Sequence, residues 1–227
     1  MKTLAELLPD ISQCEVVSLA YNNPAIKPEM MLAIVKACIA SDLAVDYVDF
    51  DLQFSSLLQN LPEPQFKEIF GGSLRVYQPS ATVIDFVESM MSSEKPKGFV
   101  IVDSLNTLQN LLSVEPTATG PKSANQRSAV LVSAMQLFAR ANSQTILILN
   151  LTKSRPKKDE NSEIVWEREI VGGRMTRFKS DVILFANETR NPMNFIEVSV
   201  DVIHSKSFRG NESDRYGISL QESRITI

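Results

Sequence analysis

The stretch Gly98-Phe99-Val100-Ile101-Val102-Asp103-Ser104-Leu105 decides how this chain is read. Four consecutive apolar residues between a glycine and an acid mark a strand buried on both faces, the signature of a parallel sheet. Open α/β sheets bind their ligands at the carboxyl ends of such strands, so Asp103 stands where a carboxylate would reach a magnesium–nucleotide site. Upstream, where a glycine-rich phosphate loop would follow the first strand, the chain reads Leu19-Ala20-Tyr21-Asn22-Asn23-Pro24-Ala25-Ile26-Lys27-Pro28-Glu29, with a lysine and no glycine. Together the two stretches predict a nucleotide-binding fold that has lost its nucleotide.

With 227 residues, 44% of them hydrophobic, the chain is expected to form one domain, 1–227, around one large core. Its net charge of −4 provides no global positive field, so any contact with nucleic acid must be a local patch. Cys14 and Cys38 are too few and too far apart for a zinc site or a disulfide framework, which suits small core residues in a reducing compartment. Residues 1–12 read as a short amphipathic helix, beginning in Met1 to Leu8, with an acid inside and no signal-peptide pattern. No apolar segment approaches the ~20 residues of a membrane span, so a cytoplasmic location is expected.

Short apolar runs alternate with longer periodic segments. Strands are expected at Glu15 to Ala20, Ala44 to Asp49, Leu74 to Tyr77, Gly98 to Asp103 and Gln144 to Asn150. Helical spacing covers Pro28 to Ser41, Ala81 to Ser92 and Ser123 to Asn142, with Pro28 suited to a first turn. The alternation predicts a mostly parallel sheet covered by helices. Asp181 to Phe185, Phe195 to Ile203 and Gly217 to Leu220 read as further strands joined by turns, predicting antiparallel strands along the C-terminal edge. Ser113 to Ala124 and the charge-dense Ser154 to Val171 are expected to be the least ordered stretches.

In this order the landmarks resemble the core ATPase domain of the RecA/RadA recombinase superfamily, a three-layer α/β fold. Gly98 to Leu105 is similar to the family's Walker B strand and the DNA-touching loop after it. Asn125-Gln126-Arg127 resembles the opening of the next helix, and Ile148 to Pro156 the strand that leads to the second DNA loop. Gly172-Gly173, with Ser180 downstream, resembles the double glycine before the terminal strands. Tyr47 to Phe54 is similar to the strand that carries the catalytic glutamate. Only a short helix precedes the first strand, so a separate N-terminal DNA-binding domain of the archaeal recombinase type is not expected.

The departures from that pattern carry the functional reading. Successive backbone amides curl around phosphate only where side chains do not obstruct them, which is why such loops need glycine. Aligned on Lys27, the glycine positions hold Tyr21 and Ile26, and the magnesium-binding hydroxyl position holds Pro28. Pro24 and Pro28 also remove two amide donors. Asp51 stands in place of the water-polarising glutamate, one methylene shorter, and Leu151 in place of the glutamine that senses the γ-phosphate. Lys27, Asp51, Asp103 and Ser104 are therefore expected to be vestigial, with no catalytic residue, cofactor or metal. Lys27 is expected to be a solvated lysine near a helix start, and Asp103 a hydrogen-bonded structural acid. His204, the sole histidine, has no triad or metal partners in the sequence and is expected at the surface.

Binding remains. Between Lys153 and Lys179 eight basic residues face five acidic ones, a surplus of three positive charges around Trp166. By resemblance to the recombinase loop, Lys153, Arg155, Lys157, Lys158, Trp166, Arg174 and Arg177 are the candidate nucleic-acid contacts, through phosphate neutralisation and base stacking. A solvated charged loop reads the same stretch equally well. RecA-type domains assemble edge to edge, so the resemblance implies a homo- or hetero-oligomer with a RecA/RadA-type recombinase or paralogue as partner. The expected function is that of an inactive accessory or mediator in homologous recombination and DNA repair, with weak single-stranded DNA binding. An ATPase with an unorthodox phosphate loop and an Elongator-like noncatalytic ring subunit that binds RNA or protein are the alternatives.

Overall fold

Apolar runs too short for helices and too hydrophobic for a solvated face pair side by side at the centre of the molecule. The computed structural model describes residues 2–78, 98–114, 121–158, 164–170, 179–190, 196–205 and 215–220. Its strands are β1 (Lys2–Thr3), β2 (Val16–Tyr21), β3 (Ala44–Asp49), β4 (Leu74–Tyr77), β5 (Gly98–Asp103), β6 (Thr145–Lys158), β7 (Ile164–Ile170), β8 (Val182–Arg190), β9 (Ile196–Ser205) and β10 (Arg215–Ser219). The helices described are α1 (Leu4–Ile11), α2 (Lys27–Ala40), α3 (Gln53–Gln59), α4 (Glu63–Phe70), α5 (Leu105–Val114) and α6 (Pro121–Ala141).

The sheet runs in the order β1-β10-β9-β8-β2-β6-β5-β3-β4, and β7 pairs with the outer half of β6. From β8 to β4 every neighbouring pair is parallel. Antiparallel β9 and β10 extend the edge beyond β8. β2 and β5 are buried along their whole length, as strands covered on both faces must be. At its start β5 approaches β3 so closely that a Cβ on Gly98 would lie 1.9 Å from the Ala44 carbonyl oxygen, which explains the glycine there.

Alternation along the strands feeds two cores. On one face Leu19, Tyr47, Ile101 and Leu149 pack with Leu7, Met30, Met31 and Phe54 from α1, α2 and α3. On the other, Val48, Val102 and Ile148 pack with Leu108, Leu112 and Met135 from α5 and α6. The result is the helix–sheet–helix, three-layer arrangement expected of the sequence. Leu7 and Leu8 of α1 are buried against the chain's own core, and Cys14 and Cys38 are buried free thiols. Burial pushes the Cys38 thiol up to about 12, which leaves it a core hydrophobe. Among the described residues no helix is long and apolar enough to cross a membrane.

Several expectations need correction. Asp181 to Phe185 belongs to β8, which joins the parallel ladder beside β2 and is not an antiparallel edge strand. The first helix begins at Leu4 and not at Met1, because Glu6 accepts hydrogen bonds from the amide and hydroxyl of Thr3 at 2.6 and 2.9 Å and fixes its start. Of the stretch expected to be least ordered between Ser113 and Ala124, Pro121 already opens α6, a position that proline tolerates. The charge-dense stretch after Ser154 forms a β-hairpin, with β6 continuing to Lys158 and paired to β7. Three helices absent from the sequence reading, α3, α4 and α5, fill the connections after β3 and β5. The helix expected over Ala81 to Ser92 and the side chain of His204 lie outside the described residues.

Candidate functional site

The carboxyl ends of β2, β3 and β5 meet the N-terminus of α2, and four charged or phenolic side chains converge there. Lys27, the first residue of α2, is 1% exposed, which corrects the expectation of a solvated lysine. Its Nζ donates to Asp51 Oδ2 at 2.6 Å and to Asp103 Oδ1 at 2.7 Å. The other oxygen of Asp103, Oδ2, accepts from the Tyr47 hydroxyl at 2.6 Å. A buried ammonium must be paired, and the apolar packing of Ile26, Met30 and Met31 around the helix start leaves it nowhere else to go.

Local sequence builds each part of this arrangement. Tyr47 lies two residues before Asp49 on β3, and its ring stacks on Phe54 of α3 with centroids 4.0 Å apart. That stacking fixes the hydroxyl against Asp103. Asp49, in register with Asp103 across β3 and β5, accepts the Ser55 amide at 2.6 Å and so anchors α3. Its second oxygen is buried without a hydrogen-bond partner. Ser104 is buried beyond the acid, its Oγ 3.4 Å from both the amide and the hydroxyl of Thr107 in the first turn of α5. The Leu151 amide donates to Asn106 Oδ1 at 2.8 Å, tying the end of the central part of β6 to α5.

Electrostatics follow from burial. Burial pushes the Asp103 carboxyl up to about 6, against the opposing pull of Lys27 and the Tyr47 hydrogen bond. For Lys27 burial works against the charge, yet the carboxylates of Asp103 and Asp51 outweigh it and hold the ammonium above its ordinary value. The Tyr47 and Tyr21 phenols are both raised, by burial first and then by Asp103. At neutral pH the cluster is one cation clamped between two carboxylates, with neutral phenols packed around it.

The loop before α2 spends its amides on itself. Ala25 N–H donates to Asn23 Oδ1 at 2.9 Å and Lys27 N–H to the Pro24 carbonyl at 3.4 Å, while Pro24 and Pro28 have no N–H. Asn23 Nδ2 donates to Glu188 at 2.6 Å, and Thr152 Oγ1 to the Tyr21 carbonyl at 3.2 Å, which fastens the loop to β8 and β6. Ile26 and Tyr21 are buried. A magnesium–triphosphate would need free successive amides, an available lysine and a hydroxyl at the position of Pro28, so the residues present do not fit that group. Among the described residues no group of three or more histidine, cysteine or acidic side chains could hold a metal ion.

Of the residues singled out from sequence, Lys27, Asp51, Asp103 and Ser104 come together here. The candidate nucleic-acid contacts do not. Lys153 is exposed on the hairpin, where Arg155, Lys157, Lys158 and Trp166 also lie along the strands. Arg174 and Arg177 fall outside the described residues. Sequence reasoning missed Tyr47, although a tyrosine inside a buried strand signals a hydroxyl in need of a partner.

No family model and no curated protein matches the chain. Among solved structures it is similar to the ATPase domain of a helicase, with a TM-score of 0.64 and 10% sequence identity, over 95% of this chain and 86% of that one. At that identity the likeness speaks for the fold alone, and the fold is the mostly parallel, RecA-like α/β arrangement that the sequence landmarks imply.

Proposed function

We propose that this chain is a catalytically inactive RecA/RadA-like domain that acts as an accessory or mediator in homologous recombination and DNA repair, through association with a recombinase or paralogue and weak single-stranded DNA binding. One observation carries the first half of this reading: the Lys27 ammonium is clamped between Asp51 and Asp103, at 2.6 and 2.7 Å, where a nucleotide's phosphates and metal would need it free. Phosphoryl transfer depends on positioning and on charge neutralisation, and a lysine already neutralised by its own chain supplies neither. The RecA-like fold and the resemblance in the second half of the sequence support the recombination setting. The basic hairpin beyond Thr152 supports the strand contact.

Melting in the presence of ATP and Mg²⁺ tests the inactive site. Ligand at 100 times its dissociation constant would stabilise the fold by about 2.7 kcal/mol, so an unchanged melting temperature is expected, and a rise would revive the ATPase reading. Co-sedimentation with a RecA/RadA-type recombinase and a salt titration with labelled single-stranded DNA test the accessory role. Absence of both interactions at low salt removes it.

A further inference from the structure

β6 leaves the central sheet after Leu151, its last residue paired with β2, and runs on into the hairpin with β7. The register of that hairpin sorts its charges. Directly opposed residues of an antiparallel pair share a face, and successive residues alternate between faces. One face carries Lys153, Arg155 and Lys157 opposite Glu169, Glu167 and Val165. Two of its three basic residues thus stand directly against an acid. The other face carries Thr152, Ser154, Pro156 and Lys158 opposite Ile170, Arg168, Trp166 and Ile164, with two basic residues and no acid. Ser154 and Pro156 on this second face are exposed, and Ile164 is 66% exposed.

We infer that the second face, with Trp166 between Lys158 and Arg168 in the register, is the surface that takes a single-stranded nucleic acid, and that the more numerous cations of the first face are structural. This rests on the strand contact named under the proposed function. Residues two apart on a strand, or diagonal across a pair, lie about 7 Å from each other, so a basic residue stands on each side of Trp166. A single strand offers alternating bases and phosphates, and such a face meets a base by stacking and its flanking phosphates by charge. On the first face a phosphate would approach Glu167 and Glu169 as closely as the cations opposite them, and the attraction largely cancels.

The experiment measures anisotropy of labelled oligo-deoxythymidine and oligouridine against salt, on the full chain and on variants whose melting temperature matches it. Trp166→Ala should weaken binding roughly ten-fold, and Trp166→Phe should keep most of the affinity. Lys158→Gln with Arg168→Gln should lower the slope of log affinity against log salt by about 1.4. Lys153→Gln, Arg155→Gln and Lys157→Gln together should stay within about two-fold of the parent. That pattern on either oligonucleotide supports the assignment, and the tighter oligonucleotide identifies the sugar. A parent that binds both while the triple variant loses more than the double overturns the face assignment and leaves the strand contact standing. A parent that binds neither removes the strand contact itself and the inference with it. Loss of recombinase association in the double variant, with oligonucleotide binding unchanged, would give the face to a protein and overturn the inference.

Discussion

The carboxyl end of the central strands and the hairpin that grows from β6 are both dense in charge, and they handle it in opposite ways. At the strand ends one lysine and two carboxylates are brought together out of water by separate elements of the fold, and every charge is answered inside the chain. In the hairpin, acids and bases are set opposite one another by register alone, on a surface where Lys153, Ser154 and Pro156 are exposed. Charges removed from water are expensive unless paired, whereas exposed pairs are nearly neutral in their effect. The first region is therefore committed to holding the fold, and the second is available to a partner.

The largest effect that would break this contrast is loss of the buried cation. Lys27→Met leaves Asp103 without its counter-charge in a site it cannot leave, and the expected cost is about 3–5 kcal/mol, read as a lower denaturant midpoint. Adding Asp103→Leu to Lys27→Met removes the stranded acid, and Asp51, at 14% side-chain exposure, retains access to water. The double variant should recover much of the loss, a strong non-additivity. A single variant that melts like the parent would show that the clamp contributes nothing to the fold.

A smaller effect sharpens the same region by pH. The folded-state value of Asp103 is raised by burial to about 6, above its ordinary value of 3.8, so the native state holds this proton more tightly than the unfolded chain. Its contribution is fully present below about pH 4 and is lost as pH rises through about 6. Relative to Asp103→Asn, the parent should lose on the order of 2–3 kcal/mol across that window and then run parallel to pH 8. Urea midpoints for both proteins across the range check this. Parallel curves from pH 4 upward would mean that the attraction of Lys27 cancels the effect of burial.

The fold was legible because its signals are local: unbroken apolar runs such as Val16-Val17 and Phe99 to Val102, and prolines at helix starts, survive without knowledge of tertiary contacts. The site was half legible. The absence of glycine between Leu19 and Glu29 showed that the phosphate cradle was gone, but not what replaced it. The fate of Lys27 depends on Asp51 and Asp103, far along the chain, and on apolar neighbours that seal them in, and no spacing rule encodes that convergence. The hairpin was misread for the converse reason. Alternating charges over Lys153 to Lys158 and Glu167 to Glu169 look like solvated disorder when counted along one strand, and become a paired ladder only when the two strands are set in register.

The smallest expected effect tests the hairpin against the clamp on the same footing. Lys153→Gln removes a lysine of the same charge as Lys27, opposite Glu169 in register as Lys27 is opposite its carboxylates. Here water already solvates the ammonium, so the acid left behind is rehydrated without loss and stability should change by no more than about 0.5 kcal/mol. The two lysines then differ in effect by roughly a factor of ten, and the difference is one of burial and not of charge. A loss at Lys153 that approached the one at Lys27 would mean that the first hairpin face is packed against another part of the chain. In that case the hairpin would belong to the core, and the distinction between a committed region and an available one would fail.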